Sequence, residues 1–580
     1  MRYSIIHRLM RFFASFILIA IFISIISFTF FLYSNSYDSF VNSILDQIHR
    51  PDIYEKVTSI YFTKAKFLQL RLISFVGAVA CLLGILILFF YRIKYLNLVD
   101  QIAHSVESYL AKSKHIIQSF SKEGKWILLV LFISIFVRSV YYANTFFIQY
   151  DEAWNYNLFL DQGIFYSIGA YNNYPLHNII SWLFVHGFGN TVFVLRLPSI
   201  LFGLATVFVL VISIKYFLKS EWMAICIPLL FSCLPVSVFY MMYARGVILE
   251  IFFSIIIISL FFYYFKKGFT YQRIIILSIF NALATYSMLS HPYFILATTI
   301  GFFVYAISIS KDLILKSIVY GGLSCLLSYL LLVPMQLGTG LTPGLSASYG
   351  FSLPSFNDYL HHIELYSSFI TGFSLLFYLF FLISIILLVQ NLRKKNIVYF
   401  LSLMNLGLLL LMVLIPLFTK IFPPERAFGF LILVPISMLS LLYFKIKDMK
   451  FGKILFIGLT IIFAFIFSYK SQTHHFLNWS KKLDQQVNEL FTILNSNNIN
   501  TIYGECVDAY YFAPGLDFYF KQIGKTFVYV SSSKQSTRYA ASPDSTIRCI
   551  MVCKDKISQL PITAKVIYET KEIVVYKKMN

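Results

Sequence analysis

Charge is what this sequence has least of. Asp, Glu, Lys and Arg make up 13% of its 580 residues and 58% are hydrophobic, whereas a soluble domain carries roughly a quarter charged residues. A water-soluble globule is thereby excluded. Acidic residues are scarcer than basic ones, 26 against 47, for a net charge of +21. Such a surplus can mark a nucleic-acid binder, but here the basic residues form short clusters between apolar runs: Lys266-Lys267, Arg393-Lys394-Lys395 and Lys445 to Lys453. That is how positive charge holds loops on the cytoplasmic side of a membrane, so membrane lipids are the expected surroundings and no nucleic acid is expected. Cysteine is also sparse, with seven in the chain, which excludes a disulfide framework at this length. Cys81, Cys226, Cys233 and Cys325 lie in apolar runs and read as small packing residues. The first apolar run, Phe12 to Tyr33, follows Arg2, Arg8 and Arg11. It is too long for a signal-peptide core and lacks a small-residue cleavage site, so it is expected to stay as a helix.

A membrane span needs roughly 20 apolar residues, and the chain offers about thirteen candidates. They lie near 12–33, 70–91, 126–142, 193–217, 221–240, 247–265, 273–289, 292–309, 313–334, 366–390, 397–419, 428–445 and 453–469. With the N-terminus inside, every second loop carries basic residues: 92–125, Lys215 with Lys219, 266–273, 311–316, 393–395 and 445–453. Of the alternate loops, 143–192, 287–291 and 335–365 carry none, and the first outer loop is an exception, with Arg50, Lys56, Lys64 and Lys66. This asymmetry places the N-terminus in the cytoplasm and the segment 470–580 outside.

Four regions are expected. Residues 1–91 hold a pair of transmembrane helices, 92–125 a cytoplasmic linker with helical spacing from Ser105 to Phe120, 126–469 the main helical core, and 470–580 an extracytoplasmic α/β domain. In the last, strand-like runs (Thr501 to Tyr503, Thr526 to Val530, Ile547 to Val552, Lys565 to Tyr568, Ile573 to Tyr576) alternate with helical ones (Trp479 to Leu494, Leu516 to Ile523). Cys549 and Cys553 share a strand face, and Cys506 could oppose either of them in an oxidising compartment; the spacing fits no zinc site. The loop 143–192 is rich in Tyr, Phe and Trp and is expected to lie along the outer leaflet as short helices. The loop 335–365, with Gly338, Gly340, Pro343, Gly344, Gly350 and Pro354, reads as an irregular lid.

The stretch Tyr150-Asp151-Glu152-Ala153-Trp154 sets two carboxylates side by side at a membrane edge, where an ionised group needs water, a partner or a task. No Lys or Arg stands between Arg138 and Arg196, so nothing close in sequence neutralises the pair. Either the acids are solvated on the outer surface or one is a carboxylate kept free to take a substrate's proton.

Several ordered stretches resemble the GT-C glycosyltransferases of the protein O-mannosyltransferase and aminoarabinose-lipid A transferase type. The helix holding Arg138 and leading to Tyr150-Asp151-Glu152-Ala153 is similar to that family's first core helix and its acidic motif. Tyr174-Pro175-Leu176-His177, Arg196-Leu197-Pro198-Ser199, Leu234-Pro235-Val236-Ser237 with Tyr243-Ala244-Arg245, Ser290-His291-Pro292-Tyr293 and Pro423-Pro424-Glu425-Arg426 follow in the family's order. Tyr243 stands where the family often has Glu, Gly246 where Pro or Met is commoner, and Tyr174 replaces one Pro.

What the resemblance implies is a multi-pass protein of a bacterial inner membrane that moves a sugar from a polyprenyl-phosphate donor to a hydroxyl or phosphate of a glycan, lipid or protein acceptor on the outer face. Asp151 would be the general base. Arg245, Arg426 and His291, at outer helix ends, would meet the leaving phosphate, with Glu152 and His177 also in the substrate site. A monophosphate leaving group can be handled by protein cations, so no cofactor or divalent metal is required. Arg245 and Arg426 could instead be interface anchors or partners of Glu250 and Glu425, although neither spacing brings helix side chains together. His177 and His291 also read as satisfied helix-end residues. The tandem His361-His362 with Asp358 and Glu364 matches no recognised ligand set and reads first as a solvated loop. A transporter or flippase of a lipid-linked glycan, or a glycan ligase, shares many of these features, but no repeated half with paired broken spans is visible.

Overall fold

The computed structural model describes residues 5–47, 58, 63–169, 174–339, 355–394, 396–419, 423–446, 449, 451–473, 475–504, 511–531, 549–553, 564–570 and 573–578. It divides into two compact units, Met1–Ser119 and Phe120–Asn580.

The first unit holds helices α1 (Ile5–Ser34), α2 (Tyr37–Gln47), α3 (Lys64–Phe90) and α4 (Arg92–Gln118). The helical spacing expected from Ser105 onward belongs to one helix that begins at Arg92. A small core of Leu32, Phe40, Val41, Leu45, Phe67 and Leu70 joins α1, α2 and α3. Arg71 closes the end of α1, donating from Nε to Leu32 O at 2.8 Å and from Nη2 to Asn35 O at 2.6 Å, so carbonyls left over at the helix end find a cation.

The second unit opens with α5 (Lys122–Thr145), α6 (Tyr150–Asn155), a π-helical turn (Tyr156–Leu160), α7 (Ile164–Gly169) and α8 (Pro175–Phe188). The aromatic loop is therefore folded as short helices. Then come α9 (Val192–Leu218), α10 (Glu221–Cys233), α11 (Pro235–Met242), α12 (Val247–Lys267), α13 (Tyr271–Ser287), α14 (Pro292–Ile307) and α15 (Lys311–Thr339). After them run α16 (Phe356–Thr371), α17 (Leu376–Asn391), α18 (Ile397–Thr419), a 3₁₀ turn (Glu425–Ile432), α19 (Leu433–Ile446) and α20 (Gly452–Thr473). Ser121, Thr191, Ser220 and Thr270 each cap a helix by accepting the N–H three residues on, which is why each apolar run starts where it does.

Seven of the described helices are long and apolar enough to cross a membrane, or nine if each bent pair counts as one span. That is fewer than expected. The segments near 292 and 428 carry shorter apolar helices, and α13 has 17 residues, about 25 Å at ~1.5 Å per residue against a hydrocarbon core of about 30 Å. The loop expected from 335 to 365 is partly helix: α15 runs on to Thr339, and Ser355 caps α16 in a reciprocal box with Asp358. Residues 340–354 fall outside the described residues. His361, His362 and Glu364 lie on α16, and Asp358 is held by the cap, with Ser355 N donating to Oδ2 at 2.7 Å.

After α20 come α21 (His475–Ser496), β1 (Thr501–Gly504), α22 (Ala513–Gln522), β2 (Val528–Ser531), β3 (Cys549–Cys553), β4 (Ala564–Glu569) and β5 (Ile573–Lys578). The sheet order is β2-β1-β3-β5-β4. β1 pairs in parallel with β2 and β3, and β5 lies antiparallel between β3 and β4. All five expected strands are present. Cys549 is a buried free thiol; Cys506 and the Cys553 side chain lie outside the described residues. The sheet's apolar face is continuous with Ile148, Ala153, Tyr156, Phe159 and Leu160, so one core includes both α22 and the acidic loop.

Two breaks position the site. Leu234 precedes Pro235 and is extended (ψ 139), the conformation proline favours in the residue before it, and α10 and α11 meet there at 70°. The next break, Tyr243 to Gly246, turns the chain from α11 into α12. A Cβ on Gly246 would overlap the carbonyl oxygen of Ser287 and lie 2.9 Å from the Tyr174 ring. Gly246→Ala is therefore expected to lower stability by roughly 1–3 kcal/mol, the usual range for overpacking. The check is the thermal midpoint of the detergent-solubilised protein, and an unchanged midpoint would show that the turn has room.

Candidate active site

Glu152 and Arg196 meet where α5 ends and α6 begins. The carboxylate is fully buried and the guanidinium nearly so. They form a two-point pair, Nε to Oε1 at 3.0 Å and Nη2 to Oε2 at 2.6 Å. Burying such a pair is tolerable only if the remaining donors and lone pairs are satisfied, and here they are. Arg196 gives Nη1 to Ala143 O (3.1 Å) and Phe146 O (2.7 Å) and Nη2 to Phe147 O (2.7 Å), so all five guanidinium donors are used. Glu152 also accepts Gln149 N at 3.0 Å and Ala244 N at 2.6 Å. The pair thus fastens α5, α6, α9 and the Tyr243–Gly246 turn to one another.

Asp151, one residue away, points differently. Its side chain is 30% exposed and forms an ion pair with Arg245, which is buried. Arg245 Nη2 also donates to Gln149 Oε1 at 2.8 Å. Among the described residues its Nε and Nη1 are buried with no hydrogen-bond partner. Buried donors without acceptors cost about 1–3 kcal/mol each, so the site holds unspent capacity for a negatively charged oxygen next to a solvent-reachable carboxylate. Aromatic rings line it: Tyr150 stacks on Trp154 at 6.2 Å and meets Tyr511 edge-on at 5.2 Å.

No partner lies close in sequence, as expected, but the reading of the acids as solvated or kept free is corrected here. Their partners come from 44 and 94 residues further along the chain, a distance over which scanning neighbouring residues is blind. One signal was available for Arg196, since a lone arginine near the start of a long apolar helix needs an anion. Arg245 pairs with Asp151 and not with Glu250. Glu152, read either as a substrate contact or as a residue that orients its surroundings, has its oxygens occupied by Arg196 and by the Gln149 and Ala244 N–H groups. His177, expected in the substrate site, is fully buried, with Nε2 3.2 Å from Ser199 Oγ and Nδ1 3.3 Å from Ser181 Oγ; it ties α8 to α9. His291 is fully buried too, with Nε2 3.2 Å from Asn281 Oδ1 and Nδ1 3.5 Å from Glu250 Oε1. The Arg426 side chain lies outside the described residues.

Sequence reading missed the wall supplied by α22. Tyr519 Oη accepts from Ile148 N at 3.2 Å, Asn157 Nδ2 donates to Pro514 O at 2.8 Å, and Tyr156 meets Phe518 edge-on at 5.0 Å. Lys521 Nζ pairs with Asp161 at 2.8 Å.

No family model and no curated protein matches this chain. Among solved structures, ArnT from Cupriavidus metallidurans bound to undecaprenyl phosphate has a TM-score of 0.48 at 10% identity, covering 77% of this chain and 97% of that one. The same enzyme in the apo state gives 0.47 at 12%, covering 79% and 98%. The archaeal oligosaccharyltransferase AglB from Archaeoglobus fulgidus, in complex with an inhibitory peptide and a dolichol-phosphate, gives 0.45 at 10%, covering 75% and 70%. At such scores the likeness settles no chemistry, which rests on the geometry above.

Two outcomes follow from the geometry. Glu152→Gln leaves the Arg196 charge uncompensated in a buried setting and is expected to cost about 3–5 kcal/mol, read as a lowered thermal midpoint; a wild-type midpoint would show that the pair is dispensable. Burial also lowers the His177 and His291 pKa from 6.5 to about 3. The unfolded chain takes up these protons below about pH 6.5 and the folded one only near 3, so their contribution to stability is present above about 6.5 and declines as the pH falls towards 3. The thermal midpoint should drop between about pH 7 and pH 5, less steeply in His177→Asn, and equal slopes would contradict burial of a neutral imidazole.

Proposed function

We propose that the chain is a membrane glycosyltransferase of GT-C type. It moves a sugar from a polyprenyl-phosphate donor to a hydroxyl or phosphate acceptor at the outer face of a bacterial inner membrane. The observation that supports this reading is the partly exposed Asp151 carboxylate beside a buried arginine with two nitrogens that have no hydrogen-bond partner among the described residues. Transfer requires that the acceptor O–H lose its proton while the bond between the sugar's anomeric carbon and the phosphate oxygen breaks. Asp151 takes that proton. Arg245 receives the charge that develops on the leaving monophosphate in a buried setting, where such contacts are strongest. In this reading no divalent metal is needed. Arg426, at the outer end of the helical core, is a second cation for the phosphate, and the aromatic rings around Tyr150 and Trp154 keep water from the reacting carbon.

The resting ion pair imposes an order. While Asp151 holds Arg245, its oxygen is occupied, and a donor phosphate entering on Arg245 competes with Asp151 and releases it towards the acceptor. Asp151→Asn is therefore expected to lower kcat by a factor of roughly 100 to 10,000 and at the same time to tighten binding of polyprenyl phosphate. Arg245→Ala should lose roughly a hundredfold in turnover, with Lys restoring only part because a point charge replaces a planar fork. Single-turnover transfer from a radiolabelled polyprenyl-phosphate sugar, with equilibrium binding of the unglycosylated lipid, measures both. An Asp151→Asn protein that transfers at the wild-type rate would end the general-base assignment, and wild-type binding in Arg245→Ala would end the phosphate assignment.

A further inference from the structure

A cleft of about 310 Å³ lies among α9, α12, α18 and α19, lined by Ile214, Phe217, Ile258, Phe262, Leu401 and Ile436 together with a few serines, Asn405 and Lys266. It sits at the end of the bundle opposite Arg245. From Val247 to Lys266 the α12 axis runs about 28 Å, at ~1.5 Å per residue. Its volume is at the low end of small-ligand sites, about 300–1,000 Å³, which suits one hydrocarbon chain.

The polar groups on its wall are of two kinds. The serines are spent on neighbours: Ser213 Oγ donates to Ser259 Oγ at 2.7 Å, and Ser437 Oγ donates to Asn405 Oδ1 at 2.8 Å. Asn405 Nδ2 is not. The residue is 1% exposed, and among the described residues this nitrogen has no acceptor. At the mouth, the exposed Lys266 holds its ammonium 5.2 Å from both the Tyr216 and Phe217 ring centroids, with exposed Lys219 and Lys267 on the same end of the bundle. An occupant must therefore bring a long apolar body, one acceptor some way down it, and a negative charge at the surface.

We propose that this cleft is a binding site for a phospholipid with an anionic headgroup. One acyl chain fills the apolar cleft, an ester carbonyl accepts from Asn405 Nδ2, and the phosphate meets Lys266. The basic end of a membrane protein faces the leaflet where anionic headgroups are attracted by lysines. A polyprenyl donor whose phosphate sits on Arg245 has its head at the other end of α12, and a soluble cofactor would need more than one unspent polar group on so apolar a wall. The site is separate from the chemistry at Asp151 and stands whether or not that chemistry is glycosyl transfer.

The test uses the full-length protein in phosphatidylcholine nanodiscs doped with diazirine-acyl phosphatidylglycerol or, in parallel, phosphatidylcholine carrying the same chain. Labelled peptides should come from α12 and α18, with phosphatidylglycerol favoured roughly fivefold, the factor one lysine near a membrane surface supplies. Lys266→Gln should remove that preference, and Ser259→Trp, whose indole fills the cleft, should remove the labelling altogether. Equal labelling by the two lipids, or a preference that survives Lys266→Gln, would overturn the proposal, as would displacement of the label by polyprenyl phosphate, which would give the cleft to the donor's tail. If Ser259→Trp does not fold, Lys266→Gln decides, because that side chain is exposed.

Discussion

The buried pair of Glu152 and Arg196 is the constraint on which the site depends. Removed from water, each charge must be met by the other and by hydrogen bonds, and these are drawn from the end of α5, the start of α6, α9 and the turn before α12. Because Glu152 is held in this way, the adjacent Asp151 cannot choose its direction. It is turned towards Arg245 and the exposed side. Two neighbouring acids thus come to differ in kind, one fully buried and fully hydrogen-bonded, the other partly exposed and paired with Arg245.

Much of the architecture was legible because apolar length and turn chemistry act locally. The five strands from Thr501 onward depend on a few neighbouring residues, and the aromatic loop folds into short helices as its composition implied. The number of spans was less legible: seven to nine of the described helices meet the length and composition of a span, against about thirteen expected. Helix α13, for example, has 17 residues and is shorter than a bilayer core.

The site was legible only in part. Asp151, Glu152 and Arg245 were identified and lie together, but which acid is buried and which reaches solvent was not legible, since that depends on Arg196 and Arg245 reaching back across 44 and 94 residues. The histidines carried two readings for a related reason. A His at an apolar helix end can be a ligand or a packing link, and only the positions of Ser181, Ser199, Asn281 and Glu250 distinguish the two. The contribution of α22 had no local signature at all.

That contribution bears on how the molecule comes into being. The hydrogen bond between Ile148 and Tyr519 joins residues 371 apart, and at ribosomal speeds of about 5–20 residues per second the acidic loop waits roughly 20 to 75 s for the helix that closes over it. Throughout that interval the transmembrane helices can already be in the bilayer while the loop lacks one wall. A chain interrupted before α22 would then leave a membrane-inserted bundle with an open, apolar-lined mouth, which gives quality-control proteases a feature by which to tell unfinished copies from finished ones.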